Sequence, residues 1–457
     1  MRTVTVAAIG GPARIADAGR GAASTPARLL TAAVAQGLVR FDATGQIEPG
    51  LAERWIVTDE GTSYIFRLRD MRWADGGQVT AAQVATILRR QLGPASRNPL
   101  RPYLTAVDDI VAMTPQVIEV QLSRPRPDLL KLFAQPELAI GRERGGTGPL
   151  RWERKSAGRG RLLRPAPDPM QADAGTAGAP AGQATRLVSD TAARAIARFT
   201  AGHAELVAGG SFADWPLVTV ARPAGAAIRI DPAVGLFGLA IVRREGFLAD
   251  AANRAAVAQA VDRAAALGAV AAGWTPDERL LPDRLDSAAV PALPSWATLP
   301  IVERQAAART RVAAYGKPVA LAIALPAGPG ATRLWGQLAR SLLQVGIRPT
   351  RVALDAPADL QLVDAVAPYD SARWYLATAC QPCSADATAA LDAAREAPTL
   401  PERASRIAEV DALLAADVAF VPLARPWRWS LVSPRLHGWQ LNARAWHPLN
   451  HLLAEPT

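Results

Sequence analysis

Residues 61–92 constrain this chain more than any other stretch. Tyr64, Phe66 and Leu68 recur at period two, the pattern of a strand with one face buried. Asp75-Gly76-Gly77 then marks a turn. Thr80-Ala81-Ala82-Gln83 has the spacing of a capping box, in which the Thr hydroxyl accepts from the third helical amide and the Gln side chain reaches back. Val84, Ile87, Leu88 and Leu92 follow at helical spacing, and Gly93-Pro94 stops the helix. A second strand is predicted over residues 117–122, with Ile118, Val120 and Leu122 on one side. The local order strand, turn, helix, loop, strand defines an α+β module.

The remaining chain is too long for that module alone. Its 457 residues exceed the ~150-residue norm for one domain, so more than one is expected. Half the residues are hydrophobic and 20% are charged, which excludes wholesale disorder. Val4 and Val6 alternate with Thr3 and Thr5 as in a first strand. Helices are predicted near residues 190–199, 253–267, 331–345 and 402–416, with a strand at 205–207 and a turn at 221–225. Residues 171–184 are Gly, Ala, Pro and Gln in the main and form a linker-like stretch. There is no internal repeat, and no run of 18 apolar residues long enough to span a membrane. The apolar start at residues 4–9 is too short for an export signal. The expectation is a chain whose signal is absent from this sequence, with a cytosolic protein as the alternative.

Charge offers a competing idea. The formal net charge is +10, yet only Lys131, Lys155 and Lys317 are lysines. Arg excess beside Ala-rich stretches is the imprint of GC-rich codons. Residues 142–164 carry eight basic and two acidic side chains with Trp152 as their only aromatic. Such a run can track phosphates, but no nucleic-acid module accompanies it, and a solvated turn explains it equally well.

Ile47-Glu48-Pro49-Gly50-Leu51-Ala52-Glu53-Arg54-Trp55, Asp59-Glu60-Gly61-Thr62, Phe66-Arg67-Leu68-Arg69, Trp73-Ala74-Asp75-Gly76 and Thr80-Ala81-Ala82-Gln83-Val84 form one ordered series. The series resembles the signature of family 5 extracellular solute-binding proteins, the peptide- and nickel-type receptors of ABC importers. Gly146-Thr147-Gly148-Pro149-Leu150, Gly202-His203-Ala204-Glu205-Leu206, Ala260-Val261-Asp262-Arg263 and Val421-Pro422-Leu423 continue it in order. The departures are Gln83, where the family has an acidic residue, and Leu150, where it has an aromatic.

The resemblance implies an α/β, periplasmic-binding-protein-like clamshell of the class II type, two lobes plus an extra α+β module. The implied divisions are residues 1–25, 145–230 and 425–457 in lobe I, 26–144 as the inserted module, and 231–424 as lobe II. It implies two crossings between lobes, near residues 236–241 and 421–428. It also implies a monomeric periplasmic receptor that captures a small solute or peptide by hinge closure. The receptor would hand its solute to an ABC permease complex at the inner membrane, with no cofactor, no bond chemistry and no nucleic acid.

Such capture needs apolar walls and a few placed polar groups. Trp374 and Tyr375 from lobe II, Trp427 and Trp429 at the second crossing, and Asp214 and Trp215 from lobe I are the candidates. Peptide-binding members carry an acidic residue after the second-lobe Trp. Here no carboxylate occurs between Trp374 and Asp386, so recognition of a peptide amino terminus by that residue is in question.

Cys380 and Cys383 form a C-x-x-C, read as a local disulfide, a pair of thiols or a redox centre. His447 and His451 stand four apart with Pro448 between them, and no Glu follows His447. The zinc-protease motif is therefore absent, and surface or terminal-strand histidines are expected, with no metal site. No catalytic triad order, Walker loop or dinucleotide fingerprint occurs.

Overall fold

The computed structural model describes residues 3–453 except 74, 143–144, 155–158, 167–183 and 284. The linker-like stretch 171–184, save its last residue, lies outside the described residues, as do Met1, Arg2, Arg144 and Lys155 of the sequence reading. The chain separates into two compact units. One comprises Met1–Gly210, Ala221–Pro232 and Trp429–Thr457; the other comprises Ser211–Val220 and Ala233–Arg428.

The first unit is built on a seven-stranded sheet. In spatial order its strands are Leu150–Glu153, Arg161–Pro165, Ala184–Asp190, Thr3–Ile9, Leu206–Ser211, Arg428–Val432 and Ile228–Asp231. Thr3–Ile9 runs parallel to Ala184–Asp190, from Thr3 opposite Ala184 to Ile9 opposite Asp190. Val4 and Val6 are buried as their alternation requires. The module predicted over residues 61–122 is an antiparallel sheet in the order Ala52–Thr58, Ser63–Leu68, Val117–Leu122, Val107–Thr114. Tyr64, Phe66, Leu68, Ile118, Val120 and Leu122 are all buried.

Helix Ala81–Leu92 packs on that sheet and begins with the expected capping box. Gln83 N donates to Thr80 Oγ1 at 3.4 Å, and Thr80 N donates to Gln83 Oε1 at 3.3 Å. The same Gln83 oxygen accepts from Trp73 Nε1 at 2.8 Å. A neutral amide thus does here what a carboxylate would do, and it joins the Trp73 turn to the helix start.

The second unit is built on a mixed five-stranded sheet in the order Ile347–Ala353, Val319–Leu325, Leu360–Val366, Gly235–Ile241, Phe420–Ala424. All of Gly235–Ile241 is buried, in keeping with its unbroken apolar run. It pairs antiparallel with both neighbours. A Cβ on Gly238 would run into Val421 O and the Phe420 ring, so the close approach of these strands requires glycine.

Three features differ from the sequence reading. The helix predicted over 253–267 is two helices, Ala251–Ala260 and Arg263–Gly268. They are split at Asp262, whose side chain accepts from Ala265 N at 3.0 Å as an N-cap. Ser211–Val220 groups with the second unit, although the sequence reading assigns it to the first lobe, and the chain passes between units at four junctions instead of two. Residues 26–144 group with the first unit, and 425–428 with the second.

Candidate functional site

The second unit carries an aromatic cluster assembled from distant segments. Ser211–Val220 brings Phe212 and Trp215, the central strand brings Phe237, and Trp274 and Trp427 complete it. Ring centroids are 4.9 Å apart for Phe212–Phe237, 4.5 Å for Phe237–Trp274, 5.6 Å for Trp274–Trp427 and 5.4 Å for Trp215–Trp427. The edge-on and tilted geometries suit the quadrupoles of the rings.

Gly-Pro-Gly explains why Ser211–Val220 docks here. Gly330 N, in the first turn of helix Pro329–Gln344, donates to Ala213 O at 2.8 Å. A Cβ on Gly330 would collide with Phe212 O, and Gly328 takes φ +129° against the Ala213 carbonyl.

Polar groups at the cluster fall into two kinds. Trp274 Nε1 donates to Arg425 O at 2.9 Å. Trp427 Nε1 is buried with no acceptor among the described residues. Asp214, beside Trp215, is half-buried, and among the described residues its carboxylate has no hydrogen-bond or ion-pair partner. Desolvation pushes that carboxyl above its ordinary value. Asp364 is shifted up by burial too, but it is held by Arg428, whose Nη1 reaches both oxygens at 2.8 and 3.0 Å.

Trp374 and Tyr375 lie on helix Ala372–Ala379, both buried, their rings 4.9 Å apart and perpendicular. Asp286 fixes the start of that helix, accepting from Ala372 N at 2.7 Å and Ser371 Oγ at 3.0 Å. Arg403 pairs with Asp286 at 2.9 Å and donates to Ser371 Oγ at 2.7 Å. The Arg425 guanidinium lies 5.9 Å from the Tyr375 ring centre. It also pairs with Asp277 at 2.8 Å and donates to Gly235 O, Leu280 O and Leu281 O. Phe212, Phe237, Trp274, Asp277, Asp286 and Arg425 were not picked out by sequence reasoning. Only the run Trp274-Thr275-Pro276-Asp277, an aromatic before a turn, offered a signal.

Trp429 groups with the first unit and is 1% exposed, against Gly210, where a Cβ would meet its indole. Cys380 and Cys383 are joined as a disulfide, with their Cα atoms 4.8 Å apart. Their loop is anchored on Asp417: Arg244 Nε donates to Pro382 O at 3.0 Å, and Ser384 N donates to Asp417 at 3.3 Å. Arg244 and Arg254 each approach Asp417 to 2.6 Å. Burial opposes ionisation of Asp417, yet the two guanidiniums outweigh it and hold the carboxyl below its ordinary value.

The histidine expectation needs correcting. His447 is buried in the first unit, Nε2 3.1 Å from Asp231 Oδ2 and its ring 4.4 Å from that of Trp439. His451 Nε2 lies 2.7 Å from Glu48 Oε1, while His203 and His437 are exposed. The pair serves separate acidic partners, because only a three-residue turn, Leu449–His451, follows Pro448. No group of three metal-ligating side chains occurs among the described residues.

The basic run is largely absorbed locally. Arg142 pairs with Asp75 at 3.2 Å and lies over Trp73, Arg164 pairs with Glu153 at 2.7 Å, and Arg154 and Arg161 lie over Trp152.

Known structures share this fold. Haemophilus influenzae OppA, in complex with RPPGFSPFR, superposes with a TM-score of 0.82 at 15% identity, covering 98% of each chain. The Escherichia coli murein tripeptide binding protein MppA gives 0.82 at 17% identity, again over 98% of each chain. The periplasmic binding protein AgaA from A. tumefaciens, in complex with agropinic acid, gives 0.71 at 17% identity over 95% and 94%. The architecture is therefore α/β and periplasmic-binding-protein-like.

The sequence model described as bacterial extracellular solute-binding proteins, family 5 Middle, matches residues 46–292. The chain belongs to the family 5 bacterial extracellular solute-binding proteins, which are non-enzymatic receptors. One relative is the probable deoxycholate-binding periplasmic protein YgiS of Escherichia coli K12, 31% identical over 121 residues, 22% of this chain and 23% of YgiS. Haemophilus influenzae OppA is 38% identical over 71 residues, 15% of this chain and 13% of its own. These matches span less than a quarter of either relative. No helix among the described residues is long and apolar enough to cross a membrane.

Proposed function

We propose that this chain is the solute receptor of an ABC importer, working as a monomer in the periplasm and delivering its solute to a membrane permease complex. Family membership and the shared fold support that reading. The bound peptides and small acids of the related structures suggest a solute of similar size. Capture proceeds by closure of the two lobes about the solute, as differential affinity for the closed form requires.

The observation that carries the site assignment is the half-buried Asp214 carboxylate, without a partner among the described residues and next in the chain to Trp215 of the Trp215–Trp427 ring pair. A desolvated carboxylate without a counter-charge favours a cation, and indole faces do the same. The solute therefore bears a protonated amine or guanidinium. It also offers an acceptor to Trp427 Nε1, the unpaired donor of the cluster. A thermal-shift screen of peptides, amino-sugars, opines and metal chelates identifies the solute, because binding to the native state raises Tm. Asp214→Asn is then expected to weaken the solute about ten- to hundred-fold, as the loss of a charged hydrogen bond costs ~1.5–3 kcal/mol. Trp427→Ala should weaken it as well; unchanged affinity in both variants refutes the assignment. The nucleic-acid reading is not favoured, since the basic run is occupied by Asp75, Glu153, Trp73 and Trp152.

A further inference from the structure

Away from the aromatic cluster, the second unit encloses a cavity of about 20 Å³ bounded by Arg263, Glu278, Trp296, Asp411, Leu414 and Phe420. Three buried polar atoms on its walls have no hydrogen-bond partner among the described residues: Glu278 Oε2, Trp296 Nε1 and Asp411 Oδ1. Asp411 is only 2% exposed, and its other oxygen accepts from Ala292 N at 2.7 Å. Glu278 Oε2 lies 3.4 Å from Arg263 Nη1, an ion-pair distance without a hydrogen bond. Burial raises the Asp411 carboxyl above its ordinary value, with Ala292 N–H only partly opposing it.

We infer that this cavity is a built site for one water molecule. A volume of about 10–15 Å³ already accommodates a water, which needs two to four polar partners. The donor and acceptor count fits it closely. One lone pair accepts from Trp296 Nε1–H, and the two hydrogens go to Asp411 Oδ1 and Glu278 Oε2. A cation of that size has no lone pair for the indole, and it would sit against the Arg263 guanidinium.

The water links three parts of the unit that share no direct bond at these atoms: the segment carrying Glu278, the turn Ser295–Thr298, and helix Leu400–Asp417. The first segment also supplies Asp277, which holds Arg425, and Asp286, which starts the Trp374–Tyr375 helix. The site thus braces the segment that carries Asp277 and Asp286. It stands independently of the solute proposed above.

A crystal structure of the full chain, at a resolution that orders solvent, tests this directly. The expected result is one solvent peak within about 2.7–3.2 Å of all three atoms. A double-mutant cycle of Trp296→Phe and Asp411→Asn adds an energetic test. The two substitutions should be coupled by roughly three-fold or more in the unfolding equilibrium, although the residues have no mutual hydrogen bond. A cavity without solvent density, a direct Trp296–Asp411 hydrogen bond, or coupling below about two-fold overturns the inference. Should Asp411→Asn fail to fold, the wild-type density decides alone.

Discussion

Asp417→Ala is the sharpest test of what holds the second unit together. The carboxylate closes helix Leu400–Asp417 and accepts from Arg244 at 3.0 and 2.6 Å, Arg254 at 2.6 Å and Ser384 N at 3.3 Å. The side chains of Arg254 and Arg244 are 3% and 17% exposed, so both charges would be stranded. Breaking a buried pair from one side costs about 3–5 kcal/mol. Arg254 keeps Asp417 O, Leu248 O and Ala249 O as acceptors, which places the expectation at the lower end, about 3–4 kcal/mol. For a unit of this size that is a Tm loss of roughly 6–16 °C.

The effect has a defined pH dependence. Asp417 has a folded pKa below its unfolded one, so its stabilisation is complete above the ordinary carboxylate range. It disappears as pH falls through the lowered folded value. Denaturation followed by tryptophan fluorescence should show a wide gap between wild type and variant at pH 7 that closes in acid. A loss below about 1 kcal/mol at pH 7, or a gap unchanged at low pH, refutes the reasoning.

Other expectations concern single residues. Gly330→Ala forces a methyl onto Phe212 O, so it should destabilise the unit by about 1–3 kcal/mol and loosen Trp215; Gly336→Ala, on the same helix with open space around it, should instead stabilise by about 0.5–1 kcal/mol in the same melts. Asp286→Ala removes the acceptor from Ala372 N and strips Arg403 of its counter-charge, with an expected loss of about 2–4 kcal/mol in urea titrations. Gln83→Ala deletes the reciprocal half of the capping box and the partner of Trp73 Nε1, costing about 1–2 kcal/mol in the first unit.

How much of this was legible depended on how local the cause was. The strand Ser63–Leu68, the Asp75-Gly76-Gly77 turn and the Thr80–Gln83 box are specified by side chains within a few residues, and each formed as expected. The split at Asp262 was also local, but a continuous Ala-rich pattern masked the capping aspartate. The grouping of Ser211–Val220 depends on Gly328 and Gly330, more than a hundred residues away, which no window on the sequence can connect. Trp427 and Trp429 look alike in sequence, yet the chain passes between units at Arg428, sending one indole to each. The burial of His447 is not legible beside the expectation of a surface or terminal-strand histidine, because its partner, Asp231, comes from a distant strand.

Under the proposed function, the two units respond to a cationic solute held by the second unit's Asp214 and Trp427. X-ray scattering of the full chain with and without the solute found by thermal shift tests this most directly. The prediction is a smaller radius of gyration on binding for wild type, with Asp214→Asn needing at least ten-fold more solute to reach it. A solute that binds without any change in radius, or compaction indifferent to Asp214, would contradict it.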